Sequence, residues 1–139
     1  MILADTGFFL ALANAHDDDH SAARKAARQV KETLVTTWPV LTETSHLLAS
    51  RLGHRALMAF ITSARTGAFS VFQLDQTHWS RLEALMTEYA DLPMDLADAS
   101  LVVLAEHVGH GRILSTDRRD FRTYRWKTRK PFKNLLALD

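Results

Sequence analysis

Residues 94–117 read MDLADASLVVLAEHVGHGRILSTD, and this stretch decides the class of fold that the sequence predicts. Pro93 precedes a long apolar run and Gly109 follows it, which is typical of a largely buried helix with a breaker before it and a glycine at its end. The RILSTD that comes next is a short apolar segment followed by polar turn residues, and it predicts a strand. A buried helix that leads into a strand indicates an α/β protein with a parallel sheet.

The same alternation of strand and helix extends to both ends of the chain. Short apolar or β-branched segments predict further strands at MILA (1–4), TLVTTW (33–38) and AFSVFQL (68–74), and a last one within FKNLLALD (132–139). Helical patterns lie between them, at GFFLALAN (7–14), HDDDHSAARKAARQVKE (16–32), VLTETSHLLASRL (40–52), HRALMAFITSART (54–66) and DQTHWSRLEALMTEYA (75–90). The sequence therefore predicts a single α/β domain over residues 1–139, with a central, mostly parallel sheet flanked by helices.

The composition restricts the classes of protein that the sequence fits. The chain has 139 residues, 47% hydrophobic and 24% charged, as in ordinary globular domains. It contains no cysteine, which excludes disulfides, zinc–thiolate sites and thiol nucleophiles and fits a reducing compartment, so we expect a cytoplasmic protein. The early FFLALANA resembles the core of a signal peptide, but no basic residue precedes it and Asp5 interrupts the apolar run, so we interpret it as mature structure. No stretch is long enough to span a membrane.

One segment near the C-terminus concentrates positive charge. Residues 118–133 read RRDFRTYRWKTRKPFK, in which Asp120 is the only acid. Two interpretations stay open, a solvated basic tail and a surface that binds phosphates. In the second, the aromatic residues Phe121, Tyr124 and Trp126 stack with bases while the cations hold the backbone. The arginines assigned to that role are Arg118, Arg119, Arg122 and Arg125.

Acidic residues follow two of the predicted strands. Asp5 ends the first strand and Asp117 ends RILST. Because the carboxyl ends of parallel strands meet at one edge of the sheet, where ligands collect, these two carboxylates are placed to face one crevice. For either residue alone, a role as a turn or cap residue is the favoured explanation, since Asp is common after a strand.

Three further acids lie on predicted helices. Glu43 comes early in the helix after Pro39, where an acid also suits the positive end of the helix dipole. Asp95 is a good N-cap, and Asp98 would occupy the third position of a capping arrangement. Against a purely capping role, Asp98 begins a largely buried helix, and an acid in that setting needs a cation or a metal.

Several carboxylates in one place repel each other unless a cation holds them. Oxygen ligands without cysteine suit Mg²⁺ or Mn²⁺ better than zinc. Such a metal activates water and stabilises the charge of a phosphoryl transition state. An acidic metal site beside a basic, aromatic segment therefore indicates a nuclease.

Two competing interpretations of single motifs carry less weight. The triplet Asp5-Thr6-Gly7 also occurs in aspartic proteases, but those need a strand-rich fold and a second Asp-Thr-Gly or Asp-Ser-Gly, which this chain lacks. His16 and His20 have the i, i+4 spacing of a metal site on a helix. They lie in an acidic run near a helix start, so a solvated face is the favoured interpretation.

Three blocks resemble one known family: ILADTGFFLAL, LVTTWPVLTETSHLL and YADLPMDLADASLVVLAEHVGHGRILSTDRRDF. Together they are similar to the PIN domain, and more closely to the VapC-type toxins of bacterial type II toxin–antitoxin modules. The resemblance runs nearly end to end. It implies a compact PIN-like α/β domain, a Mg²⁺- or Mn²⁺-dependent endoribonuclease, an antitoxin partner and a homodimer.

The resemblance also implies roles for single residues. Its four catalytic acids correspond to Asp5, Glu43, Asp98 and Asp117, and Asp5 and Asp98 match the usual metal ligands. The secondary candidates are Asp95, as a further ligand through water, and Thr6 and Thr116, whose hydroxyls are expected to orient carboxylates, substrate or water. Gly7 departs from the pattern, because the family commonly has Ser there; a hydroxyl is lost but no carboxylate.

Two other functions remain as alternatives. The first is a non-catalytic RNA-binding module with a PIN fold, against which the presence of all four acids argues. The second is a metal-dependent phosphatase or DNA nuclease on a similar sheet. A phosphatase of the Asp-x-Asp kind would need a second aspartate where Gly7 stands.

Overall fold

Five parallel strands form the central sheet of the protein. The computed structural model describes residues 1–136. These residues contain seven strands, β1 Ile2–Ala4, β2 Leu34–Thr37, β3 Phe69–Phe72, β4 Arg112–Leu114, β5 Arg125–Trp126, β6 Lys130–Pro131 and β7 Lys133–Asn134. The sheet has the order β3-β2-β1-β4-β7, and each of its neighbouring pairs is parallel. The pair β5 and β6 forms a separate antiparallel hairpin.

Helices connect the strands and cover the sheet. They are α1 Thr6–Ala13, α2 His20–Gln29, α3 Trp38–Leu52, α4 His54–Arg65, α5 Trp79–Glu88, α6 Leu96–Val108 and α7 Arg118–Thr123. A single 3₁₀ turn, Gln76–His78, precedes α5. The prediction of an α/β fold with a central, mostly parallel sheet flanked by helices is confirmed.

Helix α6 is the centre of the core because it is apolar on nearly all sides. The buried residues Leu101, Val102 and Leu104 pack in one cluster with Ile2 and Leu3 of β1. Burying apolar surface of this kind contributes about 25 cal/mol per Å² removed from water. The helix is therefore fixed firmly against the sheet, and so is the aspartate that it carries in its first turn.

Both ends of α6 follow the signals in the sequence. The Asp95 carboxylate caps the N-terminus by accepting a hydrogen bond from the Asp98 N–H at 2.8 Å. Gly109 ends the helix in the left-handed conformation, with a φ of 82°, which a residue without a side chain adopts at little cost. The N-cap role considered for Asp95 is thus present in the structure.

The basic segment is folded rather than a tail. Helix α7 and the β5–β6 hairpin were not predicted. The prediction that Phe121, Tyr124 and Trp126 stack with bases is wrong, because all three rings are buried. Phe121 and Tyr124 meet edge to face with ring centroids 5.2 Å apart, and Phe121 packs against Phe132 in the same way. These aromatic rings serve the core.

The last predicted strand falls partly outside the described residues, which end at residue 136. In its described part, residues 132–136, the strand is Lys133–Asn134. Among residues 1–136, no helix combines the length and the apolar character that crossing a membrane requires.

Candidate metal centre

The sheet places three chain segments side by side at its carboxyl edge. Strands β2, β1 and β4 are adjacent and parallel, so the residues that follow them lie in a row with a spacing of about 4.8 Å between strands. Those residues are Trp38 after β2, Asp5 after β1 and Asp117 shortly after β4. The Asp5 N–H donates to the Leu114 carbonyl at 3.1 Å, which fixes the first acid against the neighbouring strand.

A single serine hydroxyl links the two strand-end aspartates. Ser115 Oγ donates to Asp5 Oδ2 at 2.9 Å and accepts from the Asp117 N–H, also at 2.9 Å. The other Asp5 oxygen accepts from the Thr6 N–H at 2.7 Å. Ser115 is fully buried, and the side chain of Asn134 hydrogen-bonds both its N–H and its carbonyl. Asp5 is thus held in one orientation by partners that are themselves fixed.

Sequence reasoning missed Ser115. The available signal was a hydroxyl residue between the β4 strand and Asp117, but the adjacent Thr116 was selected in its place. The side chain of Ser115 points to Asp5, and that of Thr116 lies over Gly7.

Helix α6 supplies a third acid. The hydroxyl of Tyr124 donates to Asp98 Oδ2 at 3.1 Å. Burial raises the pKa of Tyr124 first of all, and the nearby carboxylate of Asp98 raises it further, so the phenol stays protonated and able to donate. The buried aromatic of the C-terminal segment therefore orients a candidate ligand.

Negative charge is crowded at this edge of the sheet. Burial raises the pKa of Asp5 to about 6 against the opposing hydrogen bonds from Ser115 and Thr6, and Glu43 and Asp117 raise it further. The pKa of Asp98 is raised to about 8, first by burial and then by the charges of Asp95 and Asp5. No cationic side chain is among the main influences on either pKa. Within residues 1–136, neither carboxylate therefore has a cationic side chain as a partner.

Glu43 lies on the first turns of α3 and is half-buried. It lines an open groove of about 610 Å³ between α3 and the start of α6, together with Asp95 and the ring of Trp38. The structure therefore brings Glu43 to the same edge as Asp5, which is why its charge acts on the Asp5 pKa.

Asp117 has an acidic neighbour that sequence reasoning did not select. Asp120 lies one turn further along α7, and its N–H donates to Asp117 Oδ1 at 3.2 Å. Burial raises the pKa of Asp117 first, and the Asp120 carboxyl raises it further. Asp120 Oδ1 is buried, has no hydrogen-bond partner within residues 1–136, and lies 3.5 Å from Arg119 Nε, with which it forms an ion pair. It is an additional acceptor at the edge of the cluster.

The two threonine hydroxyls differ in their surroundings. Thr6 is buried, and its Oγ1 has no hydrogen-bond partner in the described part of the chain. Thr116 Oγ1 lies only 1.9 Å from the point where a Cβ on Gly7 would stand. The hydroxyl of Thr116 therefore occupies the space that a side chain at position 7 would enter, and this explains the glycine there.

The four predicted phosphate-binding arginines fall into two pairs. Arg118 donates to Asp19 Oδ1 at 2.8 Å, and Arg125 donates through one nitrogen to the carbonyls of Arg122, Thr123 and Tyr124 at the end of α7. Both guanidinium groups are engaged within the protein. Arg119 and Arg122 are exposed, with 82% of the Arg119 side chain accessible to solvent.

The two histidines with metal-like spacing do not form a pair of free ligands. His20 Nδ1 lies 2.7 Å from the carbonyl oxygen of Ala11, whereas His16 is exposed. The solvated interpretation fits His16, whereas His20 is half-buried against α1.

The donor set fits a hard divalent cation in its chemistry. The groups at this edge are carboxylate and hydroxyl oxygens, and burial and neighbouring acids raise the pKa of two of the carboxyls. Thr6 Oγ1 is left without a hydrogen-bond partner within residues 1–136. In that same range, no three carboxylate or imidazole side chains lie close enough together to hold a metal ion as they stand. The fit therefore rests on donor chemistry and charge.

Comparison with known proteins identifies related chains. The PIN domain family matches residues 2–127. Ribonuclease VapC26 of Mycobacterium tuberculosis is 30% identical over 124 residues, which cover 89% of this chain and 92% of the relative. The 23S rRNA-specific endonuclease VapC20 of the same species is 42% identical over 59 residues, or 42% of this chain and 45% of the relative.

Two solved structures share the fold. The crystal structure of M. tuberculosis VapC20, described as a Sarcin-Ricin loop cleaving toxin, has a TM-score of 0.76 at 24% identity, covering 84% of this chain and 90% of the other. PAE2754 of Pyrobaculum aerophilum has a TM-score of 0.53 at 21% identity, covering 90% and 85%. At these identities the likeness establishes the fold alone.

We expect Asp98→Asn to increase the free energy of unfolding in EDTA at about pH 8. The folded pKa of Asp98 lies near 8 against 3.8 for the ordinary group. The protonated carboxyl of Asp98 therefore contributes its whole share of the folding stability below the unfolded pKa. That contribution is lost as the pH rises through the folded pKa. The amide still accepts from Tyr124 without the charge, and we expect a gain of about 1–2 kcal/mol after allowing for partial exposure. Urea unfolding at several pH values measures it.

The exposed Asp18 provides the matched control, because Asp18→Asn should leave stability unchanged at each pH. The gain from Asp98→Asn should disappear near pH 4. A gain of equal size at both pH values would contradict the electrostatic explanation.

We expect Gly7→Ala to destabilise the fold by about 1–3 kcal/mol, since the new methyl group overlaps Thr116 Oγ1. In the double variant Gly7→Ala/Thr116→Ala, most of that loss should be recovered because the overlapping oxygen is gone. Thermal unfolding of the two single variants and the double variant measures the coupling. Strictly additive effects would show that the two positions do not compete for space.

Proposed function

The chain belongs to the PIN-domain family, within its VapC-type members, and on that premise we propose that it is the toxin of a toxin–antitoxin module. Its activity is endonucleolytic hydrolysis of RNA phosphodiester bonds, dependent on Mg²⁺ or Mn²⁺. The observation that carries the proposal is that the charges of Glu43 and Asp117 raise the pKa of Asp5, and that of Asp5 raises the pKa of Asp98, at one edge of the sheet.

The proposed metal ligands are Asp5 and Asp98, with Glu43 and Asp117 acting directly or through water. When bound, the cation supplies positive charge that lowers the pKa of water and offsets the charge of the phosphoryl transition state. Ser115 and the Thr6 N–H hold Asp5 in place, and Tyr124 holds Asp98. Such supporting hydrogen bonds fix ligands in the orientation that binding needs.

Glu43 and Asp117 have positions that suit proton transfer and substrate alignment. Glu43 lines the open groove, where a carboxylate can orient an attacking water and take its proton. Asp117 is fixed by Ser115 at the opposite side of Asp5. Attack in line with the departing 3′ oxygen would leave 5′-phosphate and 3′-hydroxyl ends.

The choice of RNA rests on the named relatives, which are a ribonuclease and an rRNA-specific endonuclease. None of the comparisons favours the non-catalytic alternative, and all four acids are present. RNA as substrate agrees with the expected cytoplasmic location.

A cognate antitoxin and a second copy of the chain are the proposed protein partners. Helix α4 supports this, because it has no buried residue within the described chain and exposes Met58 and Ile61. By contrast, α5 buries Leu82 and Leu85, so its apolar stripe belongs to the core.

We expect Asp5→Ala and Asp98→Ala each to lower the rate of RNA cleavage by more than about 100-fold, because loss of even a supporting residue costs roughly 10–100-fold. The assay is cleavage of total cellular RNA by purified, antitoxin-free protein with Mg²⁺, with Mn²⁺ and with EDTA. Asp18→Ala, an exposed acid remote in sequence from the cluster, is the control and should retain full activity. Cleavage by Asp98→Ala at the wild-type rate would refute the assignment.

We expect the two pairs of arginines to differ in whether their loss affects RNA binding or the stability of the fold. Arg119→Ala and Arg122→Ala should weaken RNA binding with unchanged stability. Each phosphate that is no longer neutralised should reduce the slope of log affinity against log salt by about 0.7. Arg118→Ala and Arg125→Ala should lower the melting temperature, since each removes hydrogen bonds within the fold. Anisotropy titrations at several salt concentrations, together with thermal melts, measure both. An unchanged salt slope in the Arg119→Ala/Arg122→Ala variant would contradict the assignment.

A further inference from the structure

The structure exposes an aromatic ring beside the acidic cluster. Trp38 directly follows β2, which is the neighbour of β1 in the sheet. At the edge of the sheet, Trp38 therefore lies on one side of Asp5 and Asp117 lies on the other. Its side chain is 52% exposed. Among residues 1–136, Trp38 and Trp79 are the aromatic residues that are exposed to this extent. The acids thus lie between a flat apolar ring on the β2 side and the exposed arginines of α7 on the β4 side.

One edge of the Trp38 indole is hydrogen-bonded to a residue that follows β3, on the side of β2 away from Asp5. Nε1 donates to Gln73 Oε1 at 3.2 Å. Trp38 is also the first residue of α3, where the Thr37 hydroxyl caps the helix and Pro39 follows. A ring that is partly ordered before binding loses less conformational entropy when a flat partner stacks on it.

The groove in front of Trp38 is continuous with the candidate site. Its walls include Trp38, Pro39 and Leu96 on the apolar side and Glu43 and Asp95 on the acidic side, in a volume of about 610 Å³. A nucleotide chain with a phosphodiester at Asp5 would bring a flanking base to this groove, because neighbouring strands are only about 4.8 Å apart.

We propose that Trp38 is the stacking platform for an unpaired base of the RNA substrate, next to the phosphodiester that is cleaved. The inference deepens the proposed function and rests on it. Single-stranded RNA is bound by stacking its bases on exposed aromatic faces, and every base offers a π face for this.

Charge decides which part of the substrate enters the groove. Glu43 and Asp95 repel a phosphate or an acidic peptide there, whereas a neutral base meets no such penalty. The phosphates are left to the α7 side, where Arg119 and Arg122 are exposed. The aromatic rings of the C-terminal segment are buried and cannot stack with a base, whereas Trp38, on the other side of the acidic residues, is exposed.

Trp79 provides a matched control within the same protein. It is 56% exposed and lines a neighbouring cavity of about 390 Å³ with Trp38, but the groove that Glu43 and Asp95 share does not include it. If RNA binding weakened merely because an exposed indole was lost, Trp79→Ala would weaken it as much as Trp38→Ala. If Trp38 stacks with a base next to the cleaved bond, only Trp38→Ala weakens it.

The test is binding in EDTA, which separates recognition from cleavage. The probes are a fluorescein-labelled single-stranded RNA of mixed sequence, about 12 nucleotides long, and an abasic ribose-phosphate chain of the same length. Trp38→Ala should weaken binding of the RNA by about 5- to 150-fold and leave binding of the abasic chain unchanged. Trp38→Phe should restore most of the affinity, and Trp79→Ala should match the wild type.

Several results would overturn the inference. Equal binding of RNA by Trp38→Ala and wild type would do so, as would an equal loss for both probes, which indicates a change of fold or charge. Unchanged RNA binding with loss of self-association in sedimentation would assign the groove to a second copy of the chain. A cleavage assay with Mn²⁺ on the wild type tests the proposed function separately. If the wild type cleaves and Trp38→Ala cleaves with the same KM, the inference fails while the function stands.

Discussion

The burial of carboxylates beside one another at the carboxyl edge of the sheet is the constraint on which the rest of the structure depends. Burial and neighbouring acids raise the pKa of Asp5 and Asp98, so ionising them costs stability in the protein alone. A fold tolerates such a cluster only when its backbone positions are rigidly fixed elsewhere. Here the parallel strands and the buried helix α6 supply that rigidity.

The C-terminal segment supports the acidic residues through hydrogen bonds. Tyr124 donates to Asp98, and Asn134 of β7 holds the backbone of Ser115, which in turn links Asp5 and Asp117. The segment that looks most like a nucleic-acid-binding tail in the sequence is therefore largely a support for the acidic residues. The cations that it still exposes are Arg119 and Arg122 of α7 and, in the hairpin and strand that follow, Lys127, Arg129, Lys130 and Lys133.

The sequence predicted what depends on local pattern. Strand ends, helix caps and the order of elements follow from short-range chemistry, so β1 to β4 and the capping of α6 by Asp95 were found at the expected places. Ser115 could not be found in this way, because its partner Asp5 lies 110 residues away in the sequence. The same holds for Arg118, whose charge is taken up by Asp19 at the other end of the chain. In the basic segment, cations and aromatic rings alternate over too few residues to show which side of the segment faces the core. The structure shows that the aromatic rings are the buried side.

The central claim is that Asp5 and Asp98 hold a divalent metal ion. Anomalous diffraction from crystals soaked in Mn²⁺ tests it directly, because the ion itself is located. We expect a peak within about 2.0–2.6 Å of carboxylate oxygens of both Asp5 and Asp98, and its disappearance in Asp5→Asn/Asp98→Asn crystals. A peak only at His16 and His20, or no peak in the acidic cluster at saturating Mn²⁺, would contradict it.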